Sequence, residues 1–498
     1  MTSLVLAIDH GTTSSRAVLV DHDGHIVSIA QREHKQILPH PDWVEHDPEE
    51  IWSNIVDVVT EVAEYARDNG HDIAAVGVTN QRETTVLWDR HTGRPLYNAI
   101  VWQDTRTGDI IDQLAKDGGV DRLRPITGLP LSPYFSASKI RWILDNVDGV
   151  REAASRGDVL FGTMDTWLIW KLTGEHVTDV SNASRTLLMD IHTCEWREDL
   201  AELFDVPLSI LPTIVPSSGV VANVTTIPGI AGIPVAGILG DQQSANFGQA
   251  AFLPGEAKNT YGTANALLVN IGETPVMSHS GLITTVAYQL EGQPVSYALE
   301  GVIAVAGSLI NWVRDNLELA VDIAGLEELI RSVPDNGGVY LVPAFSGLFA
   351  PHWRNDARGV IVGLGYSAKR AHIARAALEA IAFQSSEIFR AMKDDTGLAM
   401  PEIRVDGGMV RNDLLMQFQA DILGIPVVRP KEIESTALGA AYVAGLAVGF
   451  WSSLDDVRKN WREDTRWTPS IDEAKRQALL ADWDRAIEKS LGWVVSHN

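Results

Sequence analysis

The sequence predicts an α/β protein of two halves, and three observations carry that reading. The chain opens on three short β-rich runs separated by polar turns. At mid-chain an apolar run ends in Gly240-Asp241-Gln242-Gln243 and passes into a small-residue helix. Near the C-terminus another apolar run, Ile403–Val405, leads through Asp406-Gly407-Gly408 into a further helix. The break is expected near residue 247, dividing the chain into 1–247 and 248–498, with no linker or low-complexity tract to mark it.

Each element has a local cause. Leu4–Ile8 and Ala17–Val20 are apolar, His25–Ala30 alternates, and the turns Asp9–Ser15 and Asp21–Gly24 separate them. This predicts an antiparallel meander, not the strand-then-helix of a P-loop or Rossmann unit. A helix follows, with Asp47 as N-cap, Pro48 first and Glu50 as capping-box partner. Ile51, Ile55, Val58, Val59 and Val62 share one of its faces. Ile73–Thr79 reads as a strand ending in Asn80-Gln81-Arg82-Glu83, and charged strand ends at a sheet's carboxyl edge often build sites. Ile233–Leu239 and Ala266–Val269 read as strands, the latter after Tyr261-Gly262-Thr263. From Asn412 a helix carries Leu414, Leu415, Phe418 and Ile422 at helical spacing, with Gly424 as C-cap. Helices at about 371–393 and 436–449 are expected to pack against the second half. No internal repeat is visible, although a strand followed by a Gly/Thr turn occurs at Asp9–Thr13 and again at Tyr261–Thr263.

Composition narrows the function. Among 498 residues, 40 Lys+Arg against 65 Asp+Glu give a formal charge of −25. That argues against a broad nucleic-acid footprint or docking on acidic lipid. The single cysteine, Cys194, excludes an internal disulfide and a multi-cysteine zinc site and fits a reducing cytoplasm. The start, MTSLVLAIDHGTTSSR, lacks the basic region of a signal peptide. The longest uncharged apolar stretch, Leu438–Trp451, has 14 residues, and a membrane span needs ~20. There is no Gly-Lys dipeptide, G-x-G-x-x-G, H-E-x-x-H or G-x-S-x-G.

Three turns carry candidate chemistry. In Asp9–Arg16, Gly11 permits close backbone approach, and Thr12, Thr13 and Ser14 offer donors to phosphate oxygens. Arg16 can neutralise charge, and Asp9 can hold a hydrated Mg²⁺. Asp241 can accept a hydroxyl proton or orient a hydrated metal, although an N-cap aspartate reads the same way. Asp406-Gly407-Gly408 with Asn412 suits a flat ring, since glycines let backbone lie against a base and Asn412 can hydrogen-bond it.

The order of these pieces resembles the actin/hexokinase/heat-shock ATPase superfamily and, within it, the FGGY carbohydrate kinases. The resemblance spans nearly the whole chain. It is carried by DHGTTSSRAVLVD at 9–21, PDWVEHDPEEIW at 41–52, GVTNQRETTVLWD at 77–89 and YNAIVWQDTRT at 97–107. FGTMDTWLIWKLTG at 161–174, TDVSNASRTLL at 178–188 and GILGDQQSANFGQ at 237–249 follow. The second half adds AKNTYGT at 257–263, YALEG at 297–301, RVDGGMVRNDLLMQFQADILG at 404–424 and ALGAAYVAGLAVGFW at 437–451.

The resemblance implies two ribonuclease H-like (actin-like ATPase) domains with a catalytic cleft between them. The first would carry the polyol site and phosphate hairpin, the second the nucleoside site. It implies ATP-dependent phosphorylation of glycerol to sn-glycerol 3-phosphate. Asp241 would be the general base, with Arg82, Glu83, Tyr134 and Gln242 on the other hydroxyls and Trp102 walling the carbon chain. Thr12, Thr13, Ser14, Arg16 and Thr263 would contact nucleotide phosphates, and Gly307, Asn311, Gly408 and Asn412 would line the nucleoside pocket. Mg²⁺ would bridge phosphates near Asp9 and Asp241. A homodimer or homotetramer is implied.

Several residues depart from the family pattern. His10 stands where glutamine is expected, Asn311 where glutamine is common, and Ala264 and Ala266 where Gly and Phe are usual. Losing that phenyl ring could enlarge the polyol pocket, and Phe349, in PAFSGLFAPHW at 343–353, could refill part of it. His352 stands where Tyr is usual. An FGGY kinase for erythritol or dihydroxyacetone is therefore the alternative. A nucleotide-switched chaperone or cytoskeletal ATPase is a remote one, since Asn80–Glu83 and Tyr134 have no purpose there. Some relatives bind fructose 1,6-bisphosphate on a Gly-Gly-Thr-Arg loop. Here Pro228–Ile233 has no arginine, and residues 215–235 contain no histidine to be phosphorylated. Neither control is expected.

Overall fold

A computed structural model describes residues 2–494. The meander forms as β1 (Thr2–His10), β2 (Ser14–Val20) and β3 (Ile26–Glu33), paired antiparallel in sequence. Then come α1 (Pro48–Asp68), β4 (His71–Asn80), β5 (Ser218–Asn223), β6 (Pro234–Gly240) and α2 (Asp241–Gly248). The second half holds β7 (Ala257–Tyr261), β8 (Asn265–Gly272), β9 (Ile283–Gln289), β10 (Val295–Ile303) and α3 (Gly307–Asp315). It continues with α4 (Ile323–Arg331), α5 (Arg370–Thr396), β11 (Ile403–Asp406), α6 (Asp413–Leu423), β12 (Val427–Pro430), α7 (Ser435–Ala447) and β13 (Glu463–Trp467).

Two sheets result. The first has six strands in the order β5-β6-β4-β1-β2-β3, and the second seven in the order β9-β10-β8-β7-β11-β12-β13. In the first, β4 runs parallel to both β1 and β6. In the second, β7–β8 and β8–β10 are antiparallel, while β7–β11 and β11–β12 are parallel. The central order 3-2-1-4-5 is therefore the same in both halves, a repeat of topology that no sequence similarity discloses.

The strands are apolar on both faces because both faces are covered. Leu4, Leu6 and Ile8 of β1 share a core with Ile51, Ile55, Val58, Val59 and Val62 of α1, whereas Val5 and Ala7 share another with Ala440, Val443 and Ala444 of α7. Asp47 caps α1 through the Glu49 amide. The capping box does not form, because Glu50 turns instead to the backbone N–H of Lys35, at 3.4 Å. Asn412 and Gly424 bound α6 as expected.

A packing expectation is overturned as well. The helix expected at 371–393 does pack on the second sheet, through residues such as Ala377 and Ile381. The one expected at 436–449, α7, does not. It lies on the first sheet, so close that a Cβ on Gly77 of β4 would collide with the Ala440 carbonyl and one on Gly439 with that of Ser244 in α2. The helix is apolar all round, so no polar face told which sheet it would join.

Candidate active site

The parallel strands of the first sheet end together. Asp9 of β1 is level with Thr79 of β4, and Thr79 with Leu239 of β6. The segments that follow, Gln81–Glu83 and Asp241–Gln243, therefore share one edge, where α/β sheets hold ligands. Gly240 is required there: a Cβ would stand 2.6 Å from the Arg82 side chain.

Asp241 is the first residue of α2, after Gly240 as N-cap. Its Oδ1 accepts from the Gln242 N–H at 2.8 Å and lies 3.0 Å from Arg82 Nε, at an angle unsuited to a hydrogen bond. The terminal nitrogens of Arg82 reach the other half, clamping Glu300 of β10 at 2.5 and 2.8 Å. Arg185 donates to Glu83 at 2.6 Å and sits 3.4 Å from Glu300. Two guanidinium groups and two carboxylates thus balance in a fully buried cluster. Burial opposes ionisation of Glu300, but Arg185 and Arg82 overcome it and hold the carboxyl at about 2. Burial prevails at Glu83 and raises it despite Arg185. Glu83 also has φ of +61°, uncommon for a non-glycine residue, and its carbonyl is tied down by Ser136 and Thr85.

Sequence reasoning left Glu300, Arg185 and Lys258 without roles, although all three stand in quoted blocks. Glu300 stands as a lone charge in an apolar run and Arg185 among small residues, whereas Lys258 follows Glu256 in a polar stretch. Lys258, buried in β7, donates to Gln242 Oε1 at 2.6 Å, Thr260 Oγ1 at 2.8 Å and the Ala266 carbonyl at 3.1 Å. Burial pulls its ammonium down to about 8.

The remaining expected polyol residues lie close by. Trp102 donates its indole N–H to Thr12 Oγ1 at 3.0 Å, and its ring meets Tyr134 edge-on at 5.6 Å. Lys139 holds the carbonyls of Pro133 and Tyr134. Phe349 does not refill a pocket: it is exposed, with Trp353 as ring neighbour, and Trp353 is bonded to Gly281.

In the hairpin between β1 and β2, Gly11 N–H is bonded to Ser14 O at 2.9 Å, which leaves Thr12 and Thr13 at the tip. Asp9 is buried, and burial with the neighbouring Asp241 and Glu434 charges raises it to about 6 against the pull of Arg16. Arg16 is paired with Glu434, at 2.5 Å. Across the cleft, the Thr263 carbonyl accepts from Ala306, Ser308 N–H and Ser308 Oγ, holding the start of α3 against the β7 turn. A Cβ on Gly307 would stand 2.5 Å from Gly262 O, and one on Gly407 2.5 Å from Tyr261 O. Gly408 and Asn311 are exposed. Asn412 caps α6 through the Leu415 N–H and donates to Glu327 of α4 at 3.0 Å.

The N-terminal domain model of the FGGY family of carbohydrate kinases matches residues 4–248, and the C-terminal domain model matches 257–448. The chain belongs to this family. Relatives of this FGGY chain include glycerol kinases of Clavibacter michiganensis subsp. michiganensis, 58% identical over 98% of both chains, and Leifsonia xyli subsp. xyli, 58% identical over 99% of both. The crystal structure of Plasmodium falciparum glycerol kinase with ADP superposes with a TM-score of 0.93, at 40% identity and 98% coverage of each chain. The two-domain actin-like ATPase fold of the FGGY kinases is thus the fold of this chain. Among the described residues no helix is long and apolar enough to cross a membrane.

Proposed function

We propose that this chain transfers the γ-phosphoryl group of ATP to a terminal hydroxyl of glycerol, giving sn-glycerol 3-phosphate. One observation carries the reading: a half-exposed carboxylate, Asp241, stands at a strand end beside a buried cluster of charged donors and acceptors. Glycerol has little apolar surface, so recognition must come from paired hydrogen bonds, and a site built for a hydroxyl rejects analogues lacking it by ~10⁴–10⁵.

Asp241 takes the proton of the attacking hydroxyl, with the Arg82 guanidinium 3.0 Å from it and turned to another hydroxyl of the polyol. Glu83, Tyr134 and Gln242 hold the other hydroxyls, with Trp102 against the carbon chain. Residues 1–247 supply this polyol site and the phosphate hairpin. Residues 248–498 supply the nucleoside site, at Gly307, Asn311, Gly408 and Asn412. Thr12, Thr13, Ser14, Arg16 and Thr263 receive the phosphates. Closure of the two halves excludes water, which otherwise competes as acceptor.

The residues present fit Mg²⁺. Asp9 and Asp241 are hard oxygen donors, and Asp9 is buried with Arg16 3.9 Å away as its salt-bridge partner. Asp9 and Asp241 would hold it through water, and the ion would supply positive charge to the transferring phosphoryl group.

A coupled ADP-release assay with glycerol, erythritol and dihydroxyacetone tests the reading. Glycerol is expected to give the highest kcat/KM. Faster turnover of another acceptor, or ATP turnover that needs none, overturns it. The Pro228–Ile233 segment offers no cation to an anionic effector, so adding fructose 1,6-bisphosphate is expected to leave the rate unchanged.

A further inference from the structure

Behind the phosphate hairpin lies a second polar cluster that phosphoryl transfer does not use. His10 ends β1, His34 follows β3, and His46 lies in the short strand Glu45–His46, paired with Ala99–Ile100. All three are buried, and one ring nitrogen from each lies within 4.8 Å of the others. We propose that His10, His34 and His46 form a binding site for a divalent transition-metal ion, best suited to zinc.

His34 carries the argument furthest. Its Nε2 lies 2.9 Å from the Thr12 carbonyl, so that nitrogen bears the proton and Nδ1 bears the lone pair. Nδ1 is buried without a hydrogen-bond partner among the described residues. An unmet buried acceptor is costly and calls for a donor or a cation. Metal-ligating histidines commonly fix their second nitrogen on a backbone carbonyl in this way.

The other two rings complete the set. His10 Nδ1 lies 3.1 Å from Ser15 Oγ, which leaves Nε2 facing the Gln81 amide at 2.8 Å. His46 meets an amide at each nitrogen, Gln36 at 2.6 Å and Gln81 at 3.2 Å. A neutral imidazole has one lone pair and cannot accept from both. Turned end for end, the Gln81 amide presents its oxygen as a fourth ligand and its NH₂ to Thr84 Oγ1. Gln36 is exposed and can swing aside.

Neutral imidazole is the form that ligates, and all three rings are buried. Three imidazoles with an amide oxygen suit zinc, copper or nickel, and not magnesium. Zinc–nitrogen bonds of about 2.0–2.1 Å require the nitrogens to close to roughly 3.4 Å apart. The filled site would brace the hairpin, because His34 holds the Thr12 carbonyl through its ring and the Thr13 carbonyl through its backbone N–H, at 3.2 Å.

The test uses the full-length, tag-free protein, stripped with chelator, reloaded with Zn²⁺ or Co²⁺ alone and dialysed against metal-free buffer. The wild type is expected to retain about one equivalent of Zn²⁺ and to show the strong visible bands of four-coordinate Co²⁺. Zn²⁺ should also raise its Tm. His34→Phe and His10→Gln should each lose the retained metal and the Tm response. X-ray absorption on the Zn²⁺-loaded wild type should show three histidine nitrogens, a readout that needs no variant to fold. Retention no greater than in His34→Phe, loss of all metal on dialysis, or a first shell without histidine overturns the proposal.

Discussion

Arg82, at the carboxyl end of β4 in the first sheet, clamps Glu300 of β10 in the second through both terminal nitrogens. The contact joins the two halves inside a region closed to water. Removing one partner of a buried pair strands the other's charge, at about 3–5 kcal/mol. Glu300→Gln should therefore lower stability by that order in urea denaturation, and an unchanged midpoint would remove the pair from the fold's support. The folded carboxyl sits at about 2 against an ordinary 4.5. Its contribution is complete above pH 4.5 and lost as pH falls toward 2, so wild type and variant should converge on acidification.

Asp241→Asn keeps the shape of the site and removes the proposed proton acceptor. Glycerol and ATP should bind nearly as before, while kcat falls by ~10² or more, the usual scale for a general base. Calorimetric binding alongside steady-state rates separates the two. Turnover near normal would take the base role from Asp241.

Lys258 meets the proposed polyol site through Gln242, whose amide oxygen it holds at 2.6 Å. Lys258→Met should raise the KM for glycerol about tenfold, the worth of one charge-assisted hydrogen bond, and leave that for ATP nearly unchanged. The folded ammonium loses its proton at about 8, against 10.5 when solvated. Above pH 8 it donates one bond fewer, so wild-type kcat/KM should fall there and the variant's should stay flat. The same shift makes stability rise with pH between 8 and 10.5, where the unfolded chain still binds the proton. An alkaline limb shared by both proteins would refute the assignment.

Gly77→Ala tests the docking of α7. The added methyl has nowhere to go but the Ala440 carbonyl, which is rigid backbone. Overpacking of this kind typically costs about 1–3 kcal/mol. A thermal midpoint within error of wild type would show that the helix can shift outward.

Much of this architecture is legible in the chain because its causes are local. The meander follows from Leu4–Ile8, the turn glycines and the alternation after Asp23, and the helix over 413–423 from its cap and apolar spacing. Asp241 is visible as a charge closing an apolar run. Glu300 and Arg185 stand out as lone charges, but a short window cannot name their partners, which lie 218 and 102 residues away. The destination of α7 is hidden for a related reason: uniform apolarity states that a helix is buried, not what covers it. The His10, His34 and His46 cluster is likewise a product of three separate strands meeting.

The helix seated on the first sheet also dictates an order of events. Val5, Ala7 and Val18 are made early, yet the residues that cover them, Ala440 to Ala444, leave the ribosome after nearly nine-tenths of the chain. Until then one side of the opening sheet is bare oil, exposed to every neighbouring nascent chain. Cutting the gene at residue 247 would part the first sheet from its own lid.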